Sequence, residues 1–115
     1  MGATILIVDD HATFRRLARR LLERCGFAVV GEAEDGTSAL VAVDELRPDV
    51  VLLDVLLPDM SGFAVADAIE AKGDPPLVIL TSTRSASDYG AAVAGRRFVT
   101  KGDLTPTRIN VALGL

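Results

Sequence analysis

The stretch Thr-Ile-Leu-Ile-Val-Asp-Asp at residues 4–10 decides the fold, because two carboxylates directly follow a continuous apolar run. β-Branched and aliphatic residues without polar alternation are typical of a strand that is buried on both faces of a parallel sheet. Residues 48–54, Pro-Asp-Val-Val-Leu-Leu-Asp, carry a second such run that again ends in a carboxylate. The sequence therefore predicts a parallel sheet with acidic side chains at the carboxyl ends of two strands.

Helical patterns alternate with strand patterns along the rest of the chain. From helical spacing and from short apolar runs we expect helices at 14–25, 39–46 and 63–69, and strands at 28–30, 77–80 and 98–100. Thr105 followed by Pro106 is typical of the start of a last helix. Five strands that alternate with helices predict an α/β fold with a doubly wound five-stranded parallel sheet of flavodoxin-like strand order 2-1-3-4-5.

Composition and charge exclude several classes of protein. The 115 residues fit one domain, and 50% of them are hydrophobic. A net charge of −4 argues against nucleic-acid binding, because such binding depends on clustered lysine and arginine. The single cysteine excludes an intramolecular disulfide. The sequence shows no signal peptide and no apolar run long enough to span a bilayer, so we expect a cytoplasmic location and no membrane partner.

Polar side chains that could carry chemistry follow the predicted strands. Asp9 and Asp10 follow the first strand, Asp54 ends the third, Thr81 the fourth and Lys101 the fifth. The carboxyl ends of parallel strands lie side by side, at the edge where doubly wound folds bind ligands. We therefore expect three carboxylates, a hydroxyl and an ammonium in one crevice.

This set of groups favours phosphoryl chemistry with a divalent cation. A single lysine cannot balance three carboxylates, and oxygen ligands suit Mg²⁺. A carboxylate beside Mg²⁺ and a lysine can form an aspartyl-phosphate. Taken singly, each aspartate also fits a helix cap or a turn, Thr81 fits a cap and Lys101 fits a solvated surface position, and these alternatives stay open.

Five ordered motifs resemble the receiver domain of two-component response regulators. They are Ile-Leu-Ile-Val-Asp-Asp at 5–10, Pro-Asp-Val-Val-Leu-Leu-Asp at 48–54, Leu-Pro-Asp-Met-Ser-Gly at 57–62, Leu-Thr-Ser at 80–82 and Phe-Val-Thr-Lys at 98–101. The resemblance covers essentially the whole chain and implies one receiver domain over residues 1–115. Asp-Asp-His-Ala-Thr-Phe-Arg at 9–15 is similar to nitrate-response-type regulators, whose DNA-binding output domain is expected to be absent here.

The resemblance implies a role for each matching residue of the crevice. Asp54 is implied as the acceptor of a phosphoryl group from the phosphohistidine of a sensor histidine kinase. Asp10 and Asp54 are implied as direct Mg²⁺ ligands together with the main-chain carbonyl of Leu56, while Asp9 acts through water. Lys101 is implied to pair with a phosphoryl oxygen.

Thr81 and Phe98 are implied as the switch that senses the phosphoryl group. Thr81 would move to hydrogen-bond that group, and Phe98 would turn inward behind it. The readout is then the face formed by the fourth helix, the fifth strand and the fifth helix, where a homodimer or another partner would dock. The resemblance further implies that the domain catalyses only its own phosphorylation, is not an enzyme, and in the full protein controls transcription.

Two departures from the family pattern leave an alternative open. Gly102 follows Lys101 where many relatives have proline, and Gly90 interrupts a Ser- and Ala-rich segment at 85–95, so the fourth helix is expected to be irregular. A phosphorylation-independent interaction module with a vestigial pocket is therefore the competing hypothesis. An aspartate-based phosphatase is disfavoured, because residues 54–56 lack the second acid of that class.

Three further features were interpreted from the sequence. His11 is expected at the rim of the pocket rather than among its ligands, and Cys25 is expected to pack in the core. Arginines on the first helix predict a basic exposed face, which is either simply solvated or a docking surface for an acidic partner. These arginines are Arg15, Arg16, Arg19, Arg20 and Arg24.

Overall fold

The structure is a computed structural model that describes residues 2–114, over which five strands alternate with five helices. The strands are β1 Thr4–Val8, β2 Ala28–Ala33, β3 Val50–Asp54, β4 Leu77–Ser82 and β5 Arg97–Thr100. The helices are α1 Ala12–Arg24, α2 Gly36–Leu46, α3 Gly62–Glu70, α4 Ala86–Tyr89 and α5 Pro106–Leu113. Among the described residues, no helix is long and apolar enough to cross a membrane.

All five strands form one parallel sheet in the order β2-β1-β3-β4-β5, which confirms the predicted fold. The register places Val8 opposite Leu53, and it places Asp54 opposite Thr81. The chain crosses from one side of the sheet to the other between the β1–β2 pair and β3. The carboxyl ends of β1 and β3 therefore border the crevice where folds of this type bind ligands.

The central strands are buried on both faces, as their unbroken apolar sequences predict. One cluster contains alternate residues of β1 and β3 under α2 and α3, and the other contains the remaining residues under α1 and α5. Side chains at 5–8 and 50–53 are at most 3% exposed. Full burial of an aliphatic side chain contributes about 1.5–3 kcal/mol. Because these strands are well anchored, the acidic residues at their ends are held in place.

The fourth helix is a single turn, which confirms the expected irregularity. It begins with a capping box between Ser85 and Asp88 and ends at Gly90, whose φ of 57° lies in the left-handed region. Glycine occupies that region without steric cost, and a short 3₁₀ turn, Gly90–Val93, follows. Of this helix only Tyr89 is half-buried. Within α4, Tyr89 is therefore the residue that packs against the rest of the domain.

Three large apolar residues that lie in helices are exposed in the structure. Leu17 is 60% exposed, Leu46 42% and Val111 64%. The buried stripe of α1 is centred on Ala18 and Leu22, so Leu17 lies beyond its margin. A helix that packs on only part of a twisted sheet buries fewer residues than its apolar face contains. Boundaries differ too, since β4 extends through residue 82 and α3 ends at residue 70.

Candidate functional site

Three charged side chains meet at the carboxyl edge of the sheet. Asp9 follows β1 and is fully buried, Asp54 is the last residue of β3 and is 4% exposed, and Lys101 follows β5. The Lys101 Nζ lies 2.6 Å from Asp9 Oδ2 and 3.1 Å from Asp54 Oδ2. The shorter contact, between Lys101 Nζ and Asp9 Oδ2, is a close ion pair. One ammonium thus bridges two buried carboxylates.

Burial and the neighbouring charges shift the acidities of these groups in opposite directions. Burial raises the pKa of Asp54, and the carboxylate of Asp9 adds to the rise against the lowering effects of the Leu56 amide and Lys101. Burial alone would also raise the pKa of Asp9, but Lys101 and the His11 amide outweigh it and hold that pKa below its usual value. Burial tends to lower the pKa of Lys101, yet the two carboxylates raise it overall. Of the two buried carboxyl groups, Asp9 is therefore the more acidic, and Asp54 holds a proton more readily.

The backbone around Asp54 is held by the start of α3. The Leu56 amide donates to Asp54 Oδ1 at 3.1 Å, and the Gly62 amide donates to the Val55 carbonyl at 2.7 Å. A Cβ at position 62 would overlap the main-chain oxygen of residue 54 and lie 2.7 Å from Val55 Cα. Ser61 begins the helix by accepting from the Phe63 amide. Glycine at position 62 is thus needed for this close approach.

Asp10 and His11 form the exposed rim of the crevice. The His11 side chain is 70% exposed, as its predicted rim position requires, and the Asp10 side chain is 37% exposed. The His11 Nδ1 nevertheless lies 3.1 Å from Asp9 Oδ1 and 3.0 Å from Asp10 Oδ1. The imidazole therefore contacts two of the carboxylates that the sequence assigned to the pocket.

The donor set fits a divalent cation. Asp9, Asp10, His11 and Asp54 each offer one ligand atom, and these four atoms lie within 4.8 Å of one another. The site contains three carboxylates but only one ammonium, that of Lys101. Its net charge is therefore negative, although it is largely buried. Carboxylates that converge without enough positive charge are typical of sites for hard cations.

Thr81 lies in β4 beside Asp54, and its side chain is unusual. It is fully buried, and its Oγ1 has no hydrogen-bond partner among the described residues. A buried hydroxyl without a partner carries a desolvation cost of about 1–3 kcal/mol. The Thr81 hydroxyl could therefore donate a hydrogen bond to a group bound in the crevice.

An aromatic group behind Thr81 was only partly predicted. Phe98 is half-buried on β5, and its ring lies 5.9 Å from the ring of Tyr89, which lies 5.6 Å from that of Phe63. The Tyr89 hydroxyl and Ser82 Oγ form a hydrogen bond of 2.6 Å. Tyr89 thus joins α4 to both β4 and β5. In the sequence, the signal for this contact is the single tyrosine of the chain, which stands in a segment of small residues.

Two other supporting contacts were also missed. The Lys101 Nζ lies 4.3 Å from the centre of the Phe14 ring, a cation–π contact that fixes the lysine from the α1 side. Asp59 accepts from the Gly36 and Thr37 amides at the start of α2, and these two bonds lower its pKa to about 2. Asp59 lies in a quoted motif, but spacing alone does not indicate its partner.

The predicted basic face of α1 is smaller than expected. Arg15 Nε and Arg19 Nη2 each lie 2.9 Å from a carboxylate oxygen of Glu32 on β2, and the Arg15 side chain is only 17% exposed. The expectation that all five arginines face solvent is therefore wrong. Arg15 and Arg19 pair with an acidic residue of this chain on the neighbouring strand, whereas Arg16, Arg20 and Arg24 are exposed. Cys25 is half-buried against the α1-side cluster, in keeping with its predicted packing role.

A sequence model of the response regulator receiver domain matches residues 5–103 of the chain. The chain is a response-regulator receiver domain. Receiver domains serve two-component, phosphorylation-based signalling, which is the function that the ordered motifs predicted. The receiver fold of this chain also matches the predicted flavodoxin-like sheet.

Known proteins similar to this receiver domain include transcription regulators. The DNA-binding response regulator MtrA of Mycobacterium tuberculosis is 44% identical over 90 residues, which are 76% of this chain and 38% of that protein. The transcriptional regulatory protein YdfI of Bacillus subtilis is 42% identical over 79 residues, 68% of this chain and 37% of that protein. The solved receiver domain of NarL from Mycobacterium tuberculosis superposes with a TM-score of 0.83 at 33% identity, covering 99% of this chain and 98% of that chain. This receiver therefore spans well under half the length of both curated relatives.

Proposed function

We propose that Asp54 accepts a phosphoryl group from the phosphohistidine of a sensor histidine kinase. The observation that carries this proposal is the placement of its carboxylate at the end of β3, with Lys101 Nζ 3.1 Å away. In the reaction, an Asp54 carboxylate oxygen forms a bond to phosphorus as the P–N bond of the donor breaks, and the electron pair leaves with the imidazole nitrogen. Lys101 stabilises the charge on the phosphoryl oxygens.

The crevice offers the donor a narrow approach to Asp54. The Asp54 side chain is 5% exposed to solvent. A carboxylate oxygen of the exposed Asp10 lies within 4.8 Å of the Asp54 ligand atom. The neighbouring Leu56 side chain is 60% exposed and offers an apolar surface to a docking protein. A small phosphoryl group carried at the tip of a side chain fits such an opening.

The residues that would hold Mg²⁺ are Asp10 and Asp54, with the main-chain carbonyl of Leu56 and with Asp9 through water. Bound there, Mg²⁺ neutralises the phosphoryl oxygens and the surplus carboxylate charge. The protein positions the acceptor, because the Leu56 amide holds one Asp54 oxygen at 3.1 Å and Lys101 holds the other. The domain thus promotes its own phosphorylation and does not turn over a separate substrate as an enzyme does.

The response to phosphorylation begins at Thr81. A phosphoryl group on Asp54 adds about −1.5 to −2 charges and new acceptor oxygens beside the unpartnered Thr81 hydroxyl. Movement of that hydroxyl toward them opens space behind it for Phe98, which packs on Tyr89 of the short α4. The α4–β5–α5 face then changes shape, and a homodimer or another partner docks there.

The proposal places the domain in the cytoplasm, where it meets a sensor kinase. The similarity to DNA-binding and transcriptional regulators supports a role of the full protein in transcription control. This receiver is acidic overall, so contact with nucleic acid falls to another part of the protein.

Labelling by a small phosphodonor such as acetyl phosphate tests the proposal without a kinase. With Mg²⁺ present, we expect the wild-type chain to incorporate one phosphoryl group and Asp54→Asn to incorporate none. Asp74→Asn is the matched control, because Asp74 is exposed and has a left-handed φ of 57° that asparagine also adopts. Equal labelling of Asp54→Asn would reject the site, and no labelling of the wild type would favour the phosphorylation-independent module.

A further inference from the structure

We propose that Arg15 is a positioning residue for the phosphoryl-acceptor crevice, and that it acts by fixing the peptide group between Asp9 and Asp10. Arg15 lies on α1, outside the group of side chains that meet in the crevice. Its Nη1 donates a hydrogen bond of 2.6 Å to the main-chain carbonyl of Asp9. The inference rests on the proposed function, since the site that Arg15 positions is the proposed acceptor site. It adds to that function a residue that holds one wall of the crevice in place.

The guanidinium of Arg15 joins three elements of the fold. Its Nε donates to Glu32 Oε1 at 2.9 Å, and Glu32 lies on β2. The bond from Nη1 reaches the residue that follows β1, so one planar group links α1, β2 and the end of β1. The Arg15 side chain is 17% exposed, so these bonds are partly shielded from water. Because two nitrogens of one rigid plane bind separate partners, the position of the guanidinium is well defined.

The carbonyl that Arg15 binds belongs to the peptide group that leads into Asp10. The amide of Asp9 donates to the Ala33 carbonyl at 3.0 Å, at the point where the pairing of β1 with β2 ends. Beyond this point the His11 amide binds Asp9 Oδ1 at 2.8 Å, and Arg15 binds the Asp9 carbonyl. A hydrogen bond from a charged donor is stronger than one between neutral groups. Without that bond the peptide group can rotate, and the Asp10 carboxylate moves with it.

Arg19 separates the bond to Asp9 from the ion pair with Glu32. It lies one turn further along α1, with Nε 3.0 Å and Nη2 2.9 Å from Glu32 Oε2. Burial tends to raise the pKa of Glu32, but Arg19 and Arg15 outweigh it and hold that pKa below its usual value. Glu32 is therefore ionised at neutral pH and binds both guanidinium groups. The ion pairs of Arg19 are to Glu32 and Glu23, so its replacement is a matched control for the bond to the Asp9 carbonyl.

Phosphorylation rates of arginine variants test the inference. With acetyl phosphate and Mg²⁺, we expect Arg15→Met to be phosphorylated about 10–100-fold more slowly than the wild type. Arg15→Lys should also be slow, because lysine keeps the charge but lacks the planar fork that binds both partners. Arg19→Met should stay within about twofold of the wild type, because it loses only an ion pair with Glu32. Circular dichroism shows whether each variant is folded; if Arg15→Met is not, Arg15→Lys decides, and a rate equal to that of the wild type overturns the inference.

The amide signal of Asp10 gives a readout that does not depend on phosphorylation. Its N–H belongs to the same peptide group as the Asp9 carbonyl, so its ¹⁵N chemical shift responds to the bond from Arg15. We expect this signal to move in Arg15→Met and to move much less in Arg19→Met, and equal changes in the two variants overturn the inference. A wild-type chain that takes up no phosphoryl group rejects the proposed function and this inference with it. Equal labelling of wild type and Arg15→Met rejects the role of Arg15 alone.

Discussion

Replacement of Lys101 by methionine is predicted to destabilise the fold through charge rather than through packing. The lysine side chain is 13% exposed and bridges Asp9 and Asp54, whose side chains are 0% and 5% exposed. Methionine has a similar length and keeps an apolar contact with the Phe14 ring. The substitution therefore leaves two buried carboxylates without their cation while it fills the same space.

The magnitude follows from the burial of the pair. Removal of one partner of a buried ion pair costs about 3–5 kcal/mol. We expect a loss near the lower end, about 3 kcal/mol, because Asp54, whose pKa is already raised, can take up a proton in place of the lost ammonium. In a domain of this size, such a loss lowers the melting temperature by roughly 12 °C or more.

The effect should depend on pH and on Mg²⁺. In the wild type, the pKa of Asp9 is lowered, so its contribution to stability is present above the unfolded-state pKa and is lost as the pH falls. Lys101→Met lacks this contribution. The difference in free energy of unfolding between wild type and Lys101→Met therefore shrinks as the pH falls through the range in which carboxyl groups titrate. Added Mg²⁺ should also narrow the deficit, because it compensates the same carboxylates.

Urea unfolding of matched lysine variants is the assay. Lys72→Met removes an ion pair of similar length, since Lys72 Nζ lies 2.7 Å from Asp44 Oδ1, but these side chains are 33% and 64% exposed. We expect it to cost no more than about 1 kcal/mol. Equal losses for the two variants, or a deficit of Lys101→Met that is independent of pH and Mg²⁺, would refute the reasoning.

Four further predictions test the parts of the site one at a time. Gly62→Ala should lower the free energy of unfolding in urea by about 1–3 kcal/mol, because the new Cβ overlaps main-chain atoms. Gly73→Ala is the control and should change this free energy by less than about 1 kcal/mol, because the space around it is open. Similar values for the two variants would contradict this explanation. Asp54→Asn should unfold at a higher urea concentration than wild type at neutral pH, because the raised pKa of Asp54 means that its charged form destabilises the fold. This increase in stability should disappear in acid, where Asp54 is protonated. A lower stability of Asp54→Asn at neutral pH would contradict the prediction. Thr81→Val should be neutral or stabilising by about 1 kcal/mol, since its hydroxyl has no partner in the described chain; a clear loss would reveal one. Asp59→Ala should lower the melting temperature at neutral pH, and the difference should shrink as the pH falls towards 2, where the native carboxylate protonates; a constant difference would exclude capping by charge.

The sheet could be predicted from sequence because its strands satisfy one requirement throughout. Residues 5–8 and 50–53 face a hydrophobic cluster on each side, so every position must be apolar, and such runs are conspicuous in a sequence. The positions of Asp9, Asp54 and Lys101 follow from the ends of those runs. Their meeting within hydrogen-bonding distance is a consequence of topology, which the alternation of elements also indicates.

Contacts made by the loops and helix margins could not be predicted in the same way. The pairing of Arg15 with Glu32 depends on how α1 crosses β2, and a helical repeat does not determine that crossing. The same applies to Leu17, whose exposure depends on how wide a stripe the sheet covers. The bond between Tyr89 and Ser82 spans an irregular connection whose path no periodicity describes. The imidazole of His11 was placed correctly at the rim, but its closeness to two carboxylates depends on the turn between β1 and α1.

Location of the modified residue is the most direct test of the central claim. The wild-type chain is phosphorylated with acetyl phosphate and Mg²⁺, the acyl phosphate is trapped by reduction with borohydride, and the peptides are sequenced by mass spectrometry. We predict that Asp54 alone is converted to the reduced product. Modification of Asp9, Asp10 or any other residue in place of Asp54 would contradict the account.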